Sequence, residues 1–184
     1  LLLRPTPELC RIIHGILGRA QQLFDMTIHA FIFLSNHYHL IVSPKDAHQL
    51  ARFMGYVSGN LAREVGRLSD WHEKVWGRRY AHVPITEEPE AQIDRLRYLL
   101  AQGVKEGLVA HALEWPGASS LPALLNGSMQ LRRRLVRPQH RLSQPPLRPR
   151  PATRRLDPVG NRDPHSAPGP GPPLSRGLLR SHLA

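Results

Sequence analysis

The sequence predicts an α+β fold of the split β-α-β kind, in which a sheet carries its helices on one face. Two observations lead to this prediction. Residues 27–42 contain two runs rich in β-branched and aromatic side chains, separated by Ser35 and Asn36, which is typical of a β-hairpin. Around this hairpin the elements follow the order helix, hairpin, helix, strand, helix. Such a fold normally opens with a strand, and nearly all of that first strand is missing here.

The first two helices are marked by their opening residues and by their apolar spacing. Thr6 and Pro7 suit the N-cap and the first helical position, so we expect a helix over residues 7–24. Asp46 suits the N-cap of a second helix. Its apolar residues recur at helical spacing, which predicts one buried face formed by Leu50, Phe53, Met54, Val57, Leu61, Val65 and Leu68.

The sequence of the second half of the domain predicts shorter helices and strands. Residues 81–85 favour a short strand, and Pro89 opens a third helix that runs to about Gln102. Residues 121–125 predict one further short helix.

Composition divides the chain near residue 130. Residues 131–184 hold 12 arginines, no lysine and two aspartates, so nearly all of the formal net charge of +11 lies there. The same stretch has 11 of the 18 prolines and no apolar period, which predicts disorder. We therefore expect a folded domain over residues 1–126 and a disordered Pro/Arg-rich tail over residues 127–184. Because the folded part is close to neutral, the overall charge does not by itself indicate nucleic-acid binding.

Other compositional features narrow the class of protein. Cys10 is the only cysteine, so the chain cannot form an intramolecular disulfide. The sequence has no apolar run of about 18 residues, which predicts no membrane span. It also shows no recognisable signal peptide. We expect a cytoplasmic protein.

His37 and His39 are the first candidate site residues. Side chains two positions apart on a strand share a face, so the two imidazoles point the same way, close enough to share one metal ion. Tyr38 and Leu40 then face the other side of the sheet. Two ordinary strand histidines would show the same spacing, so the pair alone leaves both interpretations open.

The third helix supplies a second pair of candidates, Tyr98 and Gln102. On a wheel of ~100° per residue its apolar residues cluster within roughly 60°, which predicts a buried ridge of Ile93, Leu96, Leu100 and Val104. Tyr98 falls about 140° and Gln102 about 180° from Ile93, so both point away from that ridge. They are also i and i+4, which stacks them on one side of the helix.

Two imidazoles, an amide and a phenol together favour phosphodiester cleavage by tyrosine. Two imidazoles and an amide oxygen can hold a divalent cation, which polarises a phosphate and neutralises developing charge. Tyrosine, with a free pKa of ~10, becomes a nucleophile once it is positioned and deprotonated. Imidazole ligands alone favour Zn or another transition metal, whereas phosphate and amide oxygens favour Mg or Mn.

Several segments resemble the single-tyrosine HUH transposases, most closely the REP-associated tyrosine transposases. Asn36-His37-Tyr38-His39-Leu40 resembles that family's Asn-His-x-His-Leu signature, and residues 97–109 resemble its catalytic helix. Residues 76–80 and 114–120 resemble its Trp-x-x-Arg-Tyr and Trp-Ser-Ser segments. The resemblance covers roughly residues 1–125. Gly103 stands where the family usually has proline.

The resemblance implies a fold, an activity and a set of site residues. The fold would be a ferredoxin-like domain. The protein would bind single-stranded or hairpin DNA as a monomer or homodimer, cut it with Mg or Mn, and form a 5′-phosphotyrosine. Tyr98 would be the nucleophile, and the metal ligands would be His37, His39 and Gln102.

DNA binding has its own candidates, because single strands are usually held by a basic groove with stacking aromatics. The residues that can supply both features lie close together in the sequence, and they are Trp76, Arg78, Arg79 and Tyr80. A strand edge with solvated arginines is the alternative. Tyr80 is also a second candidate nucleophile, without a ligand partner at helical spacing. We expect His29 to be structural.

Three functional classes remain open from the sequence. The first, which we favour, is an active DNA-strand transferase. The second is a truncated remnant that binds structured DNA without cutting it. The third is a metal hydrolase that uses water instead of Tyr98, although no carboxylate is suitably placed near the histidines.

Overall fold

The computed structural model describes residues 2–127 and the backbone of residues 177–182. Residues 128–176 and 183–184, which belong to the tail predicted to be disordered, lie outside the described residues. The elements, in chain order, are α1 (Pro7–Phe24), β1 (Thr27–Phe33), β2 (His37–Ser43), α2 (Ala47–Ser69), β3 (Ala81–Pro84), α3 (Pro89–Leu100), α4 (Gln102–Lys105), a 3₁₀ turn (Ala112–Glu114), α5 (Leu121–Leu125) and β4 (Gly177–His182). The predicted α+β class is confirmed.

The four strands form one antiparallel sheet in the order β1-β2-β4-β3. The inner strand β4 pairs with β2 from His37 to Val42 and with β3 from Ala81 to Pro84. Residues 177–182, which lie within the tail predicted to be disordered, form this strand. The physical reason is that a strand in an inner position of a sheet pairs its backbone groups on both sides. A six-residue segment can take such a position wherever it lies in the sequence.

The hairpin separates two apolar faces. Tyr38, Leu40 and Val42 face the same core as Phe31 and Phe33, whereas the residues between them face the other side. The register shifts between Ile28 and Ala30, which is a β-bulge at His29. Because of this extra residue, Ile28 and Ala30 lie in different cores although they are two positions apart. His29 Nε2 makes a 2.7 Å hydrogen bond with Ser43 Oγ, a structural contact at the far end of β2 from the turn.

Helices α1 and α2 cover one face of the sheet. Thr6 Oγ1 and the Asp46 carboxylate accept hydrogen bonds from the first turns of α1 and α2, so both predicted N-caps are confirmed. The buried residues of the two helices join one core cluster with the hairpin, and they are Leu9, Ile13, Leu17, Ala20, Leu50, Phe53, Met54, Val57, Leu61 and Val65. None of the described helices is long and apolar enough to cross a membrane.

Helix α3 packs on the opposite face of the sheet, against β1 and β2. The buried ridge predicted for it is confirmed only in part. Leu96 and Leu100 pack against the core, whereas Ile93 is 47% exposed and Val104 is 40% exposed. Leu99 is the residue that is fully buried. Leu99 joins Ile32, Leu34 and Ile41 in a second, smaller core. The buried side is therefore centred on Leu99 and not on Ile93, because contacts with the sheet, which the spacing within one helix does not show, set the rotation of α3.

Residues 115–120 close the outer edge of β1. Phe33 N donates to Ala118 O, and Ser120 N donates to Phe31 O, each at 2.9–3.0 Å. Trp115 Nε1 donates to Phe33 O at 3.0 Å. This segment therefore satisfies backbone groups that an edge strand would otherwise expose.

Removal of residues 177–184 should lower the stability of the domain. The truncated protein loses six register pairs with β2 and four with β3, and each lost hydrogen bond is worth about 1 kcal/mol net. We expect the melting temperature to fall by more than about 5 °C in a calorimetric scan. Deletion of residues 183–184 alone is the control and should leave it unchanged. An unaltered melting temperature in the larger deletion would show that β4 adds nothing to the sheet.

Gly117→Ala should destabilise the protein through Trp115. A Cβ at position 117 would lie 2.7 Å from Trp115 Cε2 and 3.0 Å from Phe33 O, so the rigid indole must move. We expect a loss of about 1–3 kcal/mol in the free energy of unfolding, measured by urea denaturation. Gly15→Ala is the control, because nothing lies within 4 Å of its added Cβ and the change favours the helix. Equal stability of the two variants would contradict this packing argument.

Candidate functional site

His37 and His39 lie side by side on β2, on the face that α3 covers. Their ring centroids are 5.0 Å apart and the rings are nearly perpendicular. Both side chains are buried, with 3% and 0% of their surface exposed. At both positions β2 is paired with β4 on one side and lies beside β1 on the other, so neighbouring strands hold it on both sides. The structure thus confirms that the two imidazoles share a face.

Asn36 orients the imidazole of His37. The Asn36 side-chain oxygen lies 2.7 Å from His37 Nδ1, so Nδ1 carries the proton and donates it. Nε2 is then the nitrogen with the lone pair, the form in which imidazole binds a metal. Asn36 belongs to the hairpin turn, which makes this orientation a consequence of the local backbone.

Tyr98 reaches the histidine pair from α3. Its ring centroid lies 6.0 Å from that of His39, and the two rings are perpendicular. Leu99, the next residue, is buried in the core between α3 and the sheet, which anchors this turn of the helix. Tyr98 itself is half-buried at the edge of the same core.

Gln102 is buried at the junction of α3 and α4, with 1% of its surface exposed. Helix α3 ends at Leu100, Ala101 interrupts the helix, and α4 starts at Gln102. Gln102 Nε2 donates to Tyr98 O at 2.9 Å. Because the amide nitrogen is engaged there, the amide oxygen is the atom that can serve as a ligand.

Gly103 allows the chain to pack closely just beyond Gln102. A Cβ there would lie 3.2 Å from Val109 Cγ2 and 3.7 Å from Trp115. Its carbonyl accepts hydrogen bonds from Leu108 and Val109. With glycine in place of proline at position 103, the turn that follows Gln102 is therefore well packed.

The donor types of His37, His39 and Gln102 are ones that suit a divalent cation. Two imidazoles on one strand face and an amide oxygen one helix away are neutral ligands that suit a metal also bound to phosphate oxygens. No group of three or more His, Cys, Asp or Glu that could hold a metal occurs in the described part of the chain. The candidate set therefore depends on the Gln102 amide as its third protein ligand.

The residues predicted to bind DNA do not all lie on this face. Trp76 Nε1 donates to Ser58 O at 2.8 Å, and its ring packs edge-on against Tyr38. Trp76 and Tyr80 are partly buried against the core that α1 and α2 cover, opposite the histidines. Arg78 and Arg79 are exposed.

Lys105 is a residue of this site that the sequence did not reveal. Its Nζ lies 4.3 Å from the centroid of the Tyr98 ring. The two residues are seven apart, which is about two helical turns, so their spacing was compatible with a contact. The spacing alone gave no reason to prefer Lys105 over other exposed cations.

Asn36→Ala should weaken metal binding at the histidine pair. Loss of the acceptor at His37 Nδ1 frees the imidazole to change tautomer and orientation, which typically costs about 10-fold or more in affinity. The measurement is calorimetric titration of the full chain with Mn²⁺. Asn36→Asp keeps an acceptor and should bind as tightly as the wild type.

Asn60→Ala is the matched control, because the Asn60 amide caps Tyr56 O on α2, away from the histidines. Equal Mn²⁺ affinities for Asn36→Ala and the wild type would rule out the proposed role of Asn36.

Comparison with known proteins adds one match. A family model described as "Transposase IS200 like" matches residues 6–100. This range includes the hairpin, both histidines and Tyr98, and it ends two residues before Gln102. No curated protein and no solved structure is significantly similar to the chain.

Proposed function

The chain belongs to the IS200-like transposase family, and we propose that it cuts and rejoins single-stranded or hairpin DNA through a 5′-phosphotyrosine on Tyr98. Membership of this family makes the protein a transposase and DNA its partner. The observation that carries the proposal is the contact of Tyr98 with His39, with ring centroids 6.0 Å apart. It brings a nucleophile from α3 to a pair of imidazoles on β2.

The proposed step is an exchange of one phosphodiester for another. The Tyr98 oxygen attacks the phosphorus and forms a Tyr–O–P bond, and the bond from phosphorus to the 3′ oxygen breaks. The phenol gives up its proton, and the released strand leaves with a 3′ oxygen that takes up one proton and becomes a hydroxyl. Attack by a 3′ hydroxyl on the phosphotyrosine reverses the exchange and rejoins DNA.

His37, His39 and Gln102 would hold the divalent cation, Mg or Mn. When bound, the cation supplies charge that stabilises the pentavalent phosphorus and orients the leaving oxygen. The residues themselves contribute position: the Asn36 hydrogen bond orients His37, and the Gln102 amide is held against the Tyr98 carbonyl.

The structure also supports particular roles around this centre. Because Tyr98 meets His39 of the same chain, we propose that each subunit uses its own tyrosine, whether the protein is a monomer or a homodimer. We propose Arg78 and Arg79 as phosphate contacts outside the centre, since both are exposed. Trp76 and Tyr80 fit the core better than a stacking platform.

Tyr98→Phe should abolish the covalent adduct. Wild-type protein with Mn²⁺ or Mg²⁺ should trap a 3′-labelled single-stranded hairpin oligonucleotide as a species that survives denaturing electrophoresis, because the label stays on the strand that carries the 5′ phosphate. Tyr98→Phe has no attacking oxygen and should give none. Chelation of the metal should also remove the adduct from the wild type.

Tyr80→Phe is the control, since Tyr80 packs against the opposite core and should be dispensable for the adduct. Absence of an adduct from folded wild-type protein would favour a protein that binds DNA without cutting it. Cleaved product from Tyr98→Phe would instead favour hydrolysis by water.

A further inference from the structure

We propose that Lys105 binds the scissile phosphate beside Tyr98 and is a further catalytic residue of this site. The inference rests on the proposed function of Tyr98. It starts from one contact: Lys105 Nζ lies 4.3 Å from the centroid of the Tyr98 ring, on the face of the phenol.

The position of Lys105 follows from the break between α3 and α4. Ala101 interrupts the helix, and α4 ends at Lys105, two turns after Tyr98. Gln102 lies between them and is buried, whereas Lys105 is exposed. Exposure to solvent therefore increases from the candidate ligand Gln102, which is buried, through the candidate nucleophile Tyr98, which is half-buried, to the exposed ammonium of Lys105.

The chemistry of the step requires such a cation. The attacked phosphorus carries two nonbridging oxygens, and negative charge accumulates on them as the tyrosine oxygen approaches. The His37, His39 and Gln102 set serves one side of the phosphate. An ammonium has three donors, and one placed on the Tyr98 ring face can donate to a phosphate oxygen held at the phenol.

No carboxylate forms an ion pair with Lys105 among the residues that the structure describes. Lys45 differs in this respect, since it pairs with Asp25. A cation–π contact at an exposed site is weak, so it can be exchanged for a phosphate at little cost. The ammonium is therefore held beside the nucleophile without being neutralised.

The alternative is that Lys105 only packs on the tyrosine ring. Both roles predict a small change in stability when the lysine is removed, so stability does not distinguish them. A phosphate contact, in contrast, changes the salt dependence of DNA binding and the rate of adduct formation.

The first measurement is DNA binding by full-length protein carrying Tyr98→Phe, so that no cleavage occurs. Fluorescence anisotropy with a labelled single-stranded hairpin oligonucleotide gives Kd over a range of salt concentrations. Lys105→Gln in this background should reduce the slope of log Kd against log salt by about 0.7, the value for one phosphate contact on a single strand. Lys45→Gln is the matched control and should leave the slope unchanged, because Lys45 follows the far end of β2.

The second measurement is single-turnover adduct formation with Tyr98 intact, at saturating DNA and Mn²⁺. We expect Lys105→Gln to slow it by about 10- to 100-fold, because one charge-assisted hydrogen bond to the reacting phosphate is lost. Lys105→Arg keeps the charge and should remain within about fivefold of the wild type.

The outcomes separate this proposal from the function on which it rests. An unchanged salt slope, or a Lys105→Gln rate within twofold of the wild type, would overturn the role of Lys105. The wild type could form no adduct while Lys105→Gln still reduces the slope of log Kd against log salt. That result would overturn strand transfer by Tyr98 and keep Lys105 as a phosphate contact.

Discussion

Strand β2 is buried on both faces, and the rest of the structure depends on which of its side chains point to each face. Tyr38, Leu40 and Val42 enter the larger core beneath α1 and α2, where the Tyr38 hydroxyl hydrogen-bonds Ser58 Oγ at 2.9 Å. His37 and His39 occupy the alternate positions, on the side of α3. A one-residue slip in register would exchange these sets and place imidazoles in an apolar core. The same pairing therefore maintains the fold and positions the site.

The two faces are unequal in how strongly they are packed. Helix α1 buries five residues and α2 buries six, none of them polar, whereas α3 buries only Leu99 fully. Two polar residues share the sheet-facing side of α3 and α4 with the leucines, since Tyr98 contacts His39 and Gln102 is buried. The helix that carries the candidate nucleophile thus gains less from apolar burial than the helices that stabilise the sheet, and we expect it to open more readily.

The position of β4 shows that a sheet can be completed from a distant part of the chain. An antiparallel ladder is made by backbone groups, so it depends on direction and register more than on where the strand lies in the sequence. Gly177–His182 runs antiparallel to both β2 and β3 and fills the place between them. The strand that carries the histidines is consequently an inner strand, with segment 115–120 closing the outer edge of β1.

The sequence by itself determined the features that depend on neighbouring residues. The bounds of α1, the caps at Thr6 and Asp46, the hairpin and the shared face of the two histidines follow from local hydrogen bonds and from the two-residue period of a strand. Only the tertiary structure decided which side of α3 meets the sheet, that Trp76 belongs to the core, that Lys105 lies against Tyr98, and that residues 177–182 form the inner strand. These depend on contacts between residues far apart in the chain or on the balance of packing at a weakly apolar helix, and a local pattern carries no information about either.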